Sequence, residues 1–260
     1  MSEIIAIDEG DRVANELALT QFARLDPATT ALLLDVDGTL IDIGPSPFEV
    51  DVPDALKDTL LRLYELGGGA LALVSGRPIR DLDKLFAPLR LPSVGGHGAE
   101  LRLSDAAVTR ADDLPGEMRR HLIDAVVPGS GVEYEDKGYS VALHYRKAPQ
   151  HEARLRAHVA ASRAAFSAVD TEVLPGKAMV EVKRPGINKG DGVRNVMAQP
   201  PFTGRMPVFI GDDITDESAF SAMLEFGGKA FAVGVAFGGA SGVFSSPDQV
   251  RLALRRLARL

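Results

Sequence analysis

Chemistry in this chain starts at Asp35 and Asp37, the two carboxylates of Asp35-Val36-Asp37-Gly38-Thr39-Leu40. In an extended segment alternate side chains share a face, so the pair points one way while Val36 points the other. Two carboxylates at the exit of a strand stand where ligands bind in an open parallel sheet, so the location suits chemistry if the rest of the chain supplies partners. An acidic surface turn is the plain alternative, and the rest of the chain must decide. A second cluster, Asp212, Asp213, Asp216 and Glu217, puts four carboxylates within six residues. Such groups repel one another unless a cation or hydrogen-bond donors compensate, and Mg²⁺ prefers hard oxygen ligands. Groups suited to a phosphate stand elsewhere: Ser75 and Arg77 in Ser75-Gly76-Arg77-Pro78, and Lys189 beside the capping candidate Asn188. A Lys in the first turn of a helix opposes the helix dipole by roughly a few tenths of a kcal/mol, a cost outweighed if its ammonium faces a phosphate. Each motif has a dull reading too. Ser75 to Pro78 makes an ordinary turn, and Thr215 caps a helix with Asp216 and Glu217 in its first turn.

The elements that must position these residues alternate in a recognisable way. Ala31 to Leu34 has the composition of a buried central strand, and Asp35 stands at its exit. Before it, residues 13–24 read as an amphipathic helix; after it, Gly44-Pro45-Ser46-Pro47 reads as a loop. Asp51-Val52-Pro53 opens a helix with Leu56, Leu60, Leu61, Leu63 and Tyr64 at helical spacing, and Gly67-Gly68-Gly69 ends it. Ala70 to Val74 is a second buried strand, closing on Ser75. Strand, helix, strand with a polar loop at each strand exit is a right-handed parallel unit, and ligands bind at the carboxyl ends of such strands. A short helix at Asp81 to Phe86 and a short strand exiting at Gly95-Gly96-His97-Gly98 follow.

From about residue 105 the pattern changes. Val132 to Asp136 and Tyr139 to Tyr145 alternate as a hairpin through Lys137-Gly138, residues 149–166 read as helix, and Thr171 to Leu174 and Ala178 to Lys183 are strands joined around Pro175-Gly176. In the last of these, Val180 and Val182 face one way, towards a helix, and Met179, Glu181 and Lys183 the other. Antiparallel strands inside a parallel α/β chain read as an inserted second domain, after which Lys189 opens a helix, Pro207 to Ile210 forms a strand exiting at Gly211-Asp212-Asp213, and helix 216–224, strand Ala230 to Val233 and a helix from about Pro247 complete the chain.

A chain of 260 residues with no cysteine needs no disulfide and has neither thiolate metal site nor Cys nucleophile. A net charge of −7 opposes a nucleic-acid-binding surface while leaving room for a local basic pocket. Met1 to Asp11 lacks the basic-then-apolar order of a signal peptide, and no apolar run reaches the length of a membrane span. The expectation is a cytoplasmic monomer with no nucleic-acid or membrane partner.

Taken in order, Asp35-Val36-Asp37-Gly38-Thr39-Leu40, Ser75 after a buried strand, Lys189 at a helix start and Gly211-Asp212-Asp213 resemble the four motifs of the haloacid dehalogenase-like (HAD) phosphohydrolases. The fuller run Gly211-Asp212-Asp213-Ile214-Thr215-Asp216-Glu217, with Ser75-Gly76-Arg77 and Gly96-His97-Gly98, is similar to the trehalose-6-phosphate phosphatases within that superfamily. The resemblance spans about residues 30 to 235. It implies a Rossmann-like parallel-sheet core, residues 1–108 and 187–260, with an inserted α+β cap of C2 type over 109–186. It further implies a Mg²⁺-dependent phosphatase acting on a small sugar phosphate. Asp35 would be the nucleophile and Asp37 the general acid and base, with Ser75 and Lys189 on the transferring phosphoryl group. Asp35, the Asp37 backbone carbonyl and Asp212 would hold the metal, supported by Asp213 and Asp216. Thr39, Arg77, His97 and Gly98 would bind substrate from the core, and Glu135, Lys137 and Glu181 would grip the sugar from the cap. Another sugar-phosphate phosphatase of this superfamily, of sucrose-phosphate or phosphoglycolate type, shares the chemistry and differs in cap residues. A signalling receiver module also pairs a phosphorylated Asp with acidic residues, a hydroxyl and a Lys, but there the acidic pair precedes that Asp and the domain is much shorter.

Overall fold

Ala31 to Leu34 is apolar at every position because both faces of its strand are covered: Leu32 and Leu34 join one core cluster, Ala31 and Leu33 another. The computed structural model describes residues 9–44, 50–103, 107–176 and 178–260. In chain order its strands are β1 (Thr30–Leu34), β2 (Leu71–Val74), β3 (Ser93–Gly95), β4 (Glu100–Arg102), β5 (Thr109–Arg110), β6 (Glu133–Asp136), β7 (Ser140–His144), β8 (Glu172–Gly176), β9 (Met179–Lys183), β10 (Met206–Gly211), β11 (Lys229–Val233) and β12 (Gly242–Phe244). The helices are α1 (Glu9–Phe22), α2 (Asp54–Leu66), α3 (Ile79–Leu85), α4 (Gly116–Ile123), α5 (Glu152–Ala165), α6 (Lys189–Met197), α7 (Glu217–Glu225) and α8 (Pro247–Leu257).

The chain divides into two units, Met1–Thr109 with Asn188–Leu260, and Arg110–Ile187. In the first, the sheet runs β12-β11-β10-β1-β2-β3-β4-β5, parallel from β12 to β3 and antiparallel between β3 and β4. Phe22, Leu56, Leu60, Leu63, Leu254 and Leu257, from α1, α2 and α8, cover one face. The other is covered by Val193 and Val196 of α6 and by Ala219, Phe220 and Met223 of α7. Neighbouring strands β10, β1, β2 and β3 therefore present their carboxyl ends side by side, which brings four loops to one edge.

In the second unit four antiparallel strands run β6-β7-β9-β8. Val141, Leu143, Val180 and Val182 pack against Met118 and Leu122 of α4 and Leu155 and Val159 of α5. The register aligns Glu135, Ala142, Glu181 and Leu174 in a row across the opposite face, as the period-two alternation predicts.

The structure departs from the sequence reading at several places. Helix α1 begins before Val13, and α4, β4, β5 and β12 were not foreseen, since a short helix with few apolar positions and strands of two or three residues carry little periodicity. Pro175 and Gly176 lie within β8, where Gly176 pairs with Met179; the reversal comes after them, and Ala178 takes φ 60°. Most of the loop expected at Gly44-Pro45-Ser46-Pro47 falls outside the described residues.

Candidate active site

Asp35 leaves the end of β1 already buried, with 3% of its surface exposed, so its charge must be met by neighbours. Thr39 donates its hydroxyl to one carboxylate oxygen at 3.0 Å, and the Lys189 ammonium donates to the other at 2.7 Å. The same ammonium donates to Asp216 at 2.6 Å. Helix α6 places it there: the Asn188 side chain caps the helix by accepting from the Asp191 backbone N–H at 2.9 Å, and Lys189 follows as the first helical residue. Burial works against the Lys189 charge, yet the carboxylates of Asp216 and Asp35 outweigh it and hold its pKa above the usual lysine range. Burial pushes the Asp35 carboxyl well above the usual range; Lys189 pulls it back, while Asp216 and Asp212 push it up further.

Asp216 is fully buried, and its second oxygen accepts from the backbone N–H groups of Asp212 and Asp213, each at 3.0 Å. Asp213 accepts in turn from the Ile214 N–H at 2.6 Å, forming a capping box with Asp216. The cap of this turn is therefore Asp213 and not Thr215, because the strand exit at Gly211 starts the turn two residues earlier. Asp216 thus pairs with Lys189, whereas Asp213 acts on the turn that carries Asp212.

Carboxylate oxygens of Asp35, Asp212 and Asp216 lie within 4.8 Å of one another. Lys189 offsets one of these three charges, and an oxygen-only donor set of this kind fits a hard divalent cation. Asp216 already accepts from Lys189 and two N–H groups, and Asp35 from Thr39 and Lys189. Gly38 makes the approach of Asp212 possible: its φ is +83°, and a Cβ there would stand 2.2 Å from the Asp212 carboxylate.

Asp37 is held by Arg77, whose Nε and Nη2 donate to its two oxygens at 2.7 and 2.6 Å. Arg77, expected to bind substrate, instead forms a bidentate fork on Asp37, a pairing between two separate loops that residue spacing does not predict. Ser75 is buried, and its hydroxyl accepts from the Arg77 N–H at 3.1 Å, so one short turn orients both. His97 adopts φ 57° and donates its N–H to the Ser75 carbonyl at 3.0 Å, while its ring lies against Gly76, where a Cβ would stand 2.4 Å from Nε2. Gly98 touches the start of α6: a Cβ would lie 2.2 Å from the Asn188 carbonyl oxygen. Both residues thus brace the turn and the helix that carry Ser75, Arg77 and Lys189.

The second unit collects its own charges. Lys137 is buried, and its ammonium donates to Glu181 at 3.1 Å and lies 3.7 Å from Glu135. The Ser140 hydroxyl donates to the same Glu181 oxygen at 2.6 Å. Burial would lower the Lys137 pKa, but Glu181 and Glu135 raise it overall. Burial would raise that of Glu135, but His144 and Lys137 hold it below the usual glutamate range. Ser140 was missed from sequence. Its signal is a hydroxyl in a strand that continues Val141-Ala142-Leu143, on the same side as Ala142 and therefore on the face of Glu181.

Three comparisons with known proteins bear on this geometry. The family model described as trehalose-phosphatase matches residues 33–248. A probable trehalose-phosphate phosphatase of Sinorhizobium fredii is 39% identical over 236 residues, covering 88% of this chain and 88% of that protein. The trehalose-6-phosphate phosphatase of Escherichia coli is 41% identical over 213 residues, covering 80% of this chain and 78% of its own. Among solved structures, the C-terminal domain of C. albicans trehalose-6-phosphate phosphatase covers 95% of this chain and 97% of its own with a TM-score of 0.79, at 22% identity, a likeness of fold.

Proposed function

Because the chain belongs to the trehalose-phosphatase family, we propose that it hydrolyses trehalose 6-phosphate to trehalose and phosphate, with Asp35 as nucleophile and Asp37 as general acid and base. It is a phosphatase of HAD fold, acting on a phosphoric monoester. The observation that carries the mechanistic reading is the buried Asp35, held by Thr39 and Lys189 beside Asp212 and Asp216.

An oxygen of Asp35 attacks phosphorus, an Asp35–phosphorus bond forms, and the ester bond to the sugar oxygen breaks. Asp37 donates a proton to that leaving oxygen. Water then attacks the aspartyl phosphate, Asp37 takes its proton, and phosphate and free Asp35 result. General acid and base catalysis of this kind contributes about 10²–10⁴-fold. Carrying the proton requires the Arg77 fork on Asp37 to open, and the substrate phosphate is the alternative bidentate partner for the guanidinium. Ser75 and Lys189 bind phosphoryl oxygens, where positioned charge acts on phosphoryl transfer. Asp35, Asp212 and the Asp37 backbone carbonyl would hold Mg²⁺, which supplies charge neutralisation between the anionic nucleophile and the anionic phosphate. Glu135, Lys137 and Glu181 provide the polar row that reads sugar hydroxyls, since a site built to pair with hydroxyls rejects substrates that lack them.

The test is phosphate release in the presence of Mg²⁺ from trehalose 6-phosphate, sucrose 6-phosphate, glucose 6-phosphate and phosphoglycolate. The reading expects the highest kcat/KM for trehalose 6-phosphate. A higher value for any of the others overturns the substrate assignment, and release that is indifferent to chelator overturns the metal.

A further inference from the structure

We propose that Ser140 is a positioning residue for sugar recognition, acting through Glu181. The proposal rests on the sugar-reading role given above to Glu181 and adds a residue that none of the sequence motifs contains. Ser140 is 1% exposed and lies on β7, between the strands that carry the two glutamates. Its backbone partner across β9 is Lys183, so Glu181 is its diagonal neighbour on the same face, and the Glu side chain reaches back to it. The hydroxyl donates to Glu181 Oε1 at 2.6 Å, and Lys137 Nζ donates to that same oxygen at 3.1 Å.

Two donors converging on one oxygen, Lys137 from the β6–β7 turn and Ser140 from β7, fix the plane of the carboxylate. A single donor leaves it free to rotate about its last torsion, which is broad for a glutamate. With Oε1 so held, the buried Glu181 carboxylate keeps one orientation, and a sugar hydroxyl that pairs with it meets an acceptor already oriented. Affinity then gains because less rotamer freedom is lost on binding. The backbone carbonyl of Ser140 separately accepts from the Lys137 N–H at 3.0 Å, closing the hairpin. Replacing Ser140 by Ala leaves that bond in place and removes only the hydroxyl.

The test is a double-mutant cycle of Ser140→Ala and Glu181→Gln, read as the ratio of kcat/KM for trehalose 6-phosphate to that for glucose 6-phosphate. A ratio between substrates does not depend on how much of a preparation is folded. In the wild-type background Ser140→Ala is expected to lower this ratio about tenfold through KM, with kcat changed less than about threefold. In the Glu181→Gln background the same substitution is expected to change it less than about twofold. Ser140→Thr, which keeps the hydroxyl, restores at least part of the ratio. Equal effects of Ser140→Ala in both backgrounds overturn the proposal, as does a fall in kcat on both substrates with the ratio unchanged. If the wild type prefers another sugar phosphate, the trehalose 6-phosphate reading fails, and the cycle run on that substrate still decides the role of Ser140.

Discussion

At the scale of single residues, Asp35 and Asp37 look alike in the sequence and differ in what surrounds them. Asp35 is enclosed, with Thr39 and Lys189 on its oxygens, whereas Asp37 is half-buried and gripped by Arg77. On the mechanism proposed above the first is the nucleophile, so Asp35→Asn should cut phosphate release by at least roughly 10³-fold, as measured in a single-turnover assay. Wild-type turnover in this variant would remove Asp35 from the role. Lys189 sits between two carboxylates in a buried site, and taking it away strands both. Lys189→Met should therefore lower unfolding free energy by about 3 kcal/mol, read from urea denaturation at pH 7. A variant as stable as the wild type would mean that solvent or an ion already compensates Asp35 and Asp216.

At the scale of elements, the site depends on how closely loops and helices approach. Gly98 is the clearest case, with φ +111° and the Asn188 carbonyl where a side chain would go. Gly98→Ala should cost at least about 2 kcal/mol, seen as a lower melting temperature, and should reduce kcat by moving the start of α6 and with it Lys189. In the antiparallel sheet, Glu135 is an ion pair partner whose folded pKa lies below its unfolded value of 4.5. Such a group stabilises the fold while it is ionised, so its contribution is complete above pH 4.5 and disappears as pH falls through the lower folded value. The urea midpoint of the wild type should drop more steeply than that of Glu135→Gln as the pH is lowered from 5 towards 3. Parallel curves would show that Glu135 is not coupled to Lys137 and His144 in this way.

At the scale of the whole molecule, folding concentrates negative charge on one edge of a sheet in a chain that is already anionic, with a net charge of −7. A cation that binds this arrangement and not the unfolded chain must stabilise the protein. On the proposed Mg²⁺ site, the ion at about a hundred times its Kd should add about 2.7 kcal/mol, a rise in melting temperature on the order of 5–10 °C, reversible by chelator. Asp212→Asn should largely abolish the rise. An equal rise in that variant would place the ion somewhere else. No helix among the described residues is long and apolar enough to cross a membrane, which agrees with the lack of a long apolar run in the sequence.

What the sequence determined by itself was whatever depends on neighbours along the chain. The apolar run of β1, the helical spacing of α2 and the alternation of β9 follow from local periodicity, and the motif residues announced themselves by chemical type. Only the tertiary structure decided which charges meet. Lys189 and Asp35 are 154 residues apart, and nothing local brings them to 2.7 Å. The Arg77 fork on Asp37, the packing of Gly98 on Asn188 and the convergence of Ser140 and Lys137 on one oxygen of Glu181 have the same origin. Each is a contact between side chains or loops on separate elements, and its partner is chosen by strand order and register, which a pattern of residue types along one segment does not contain.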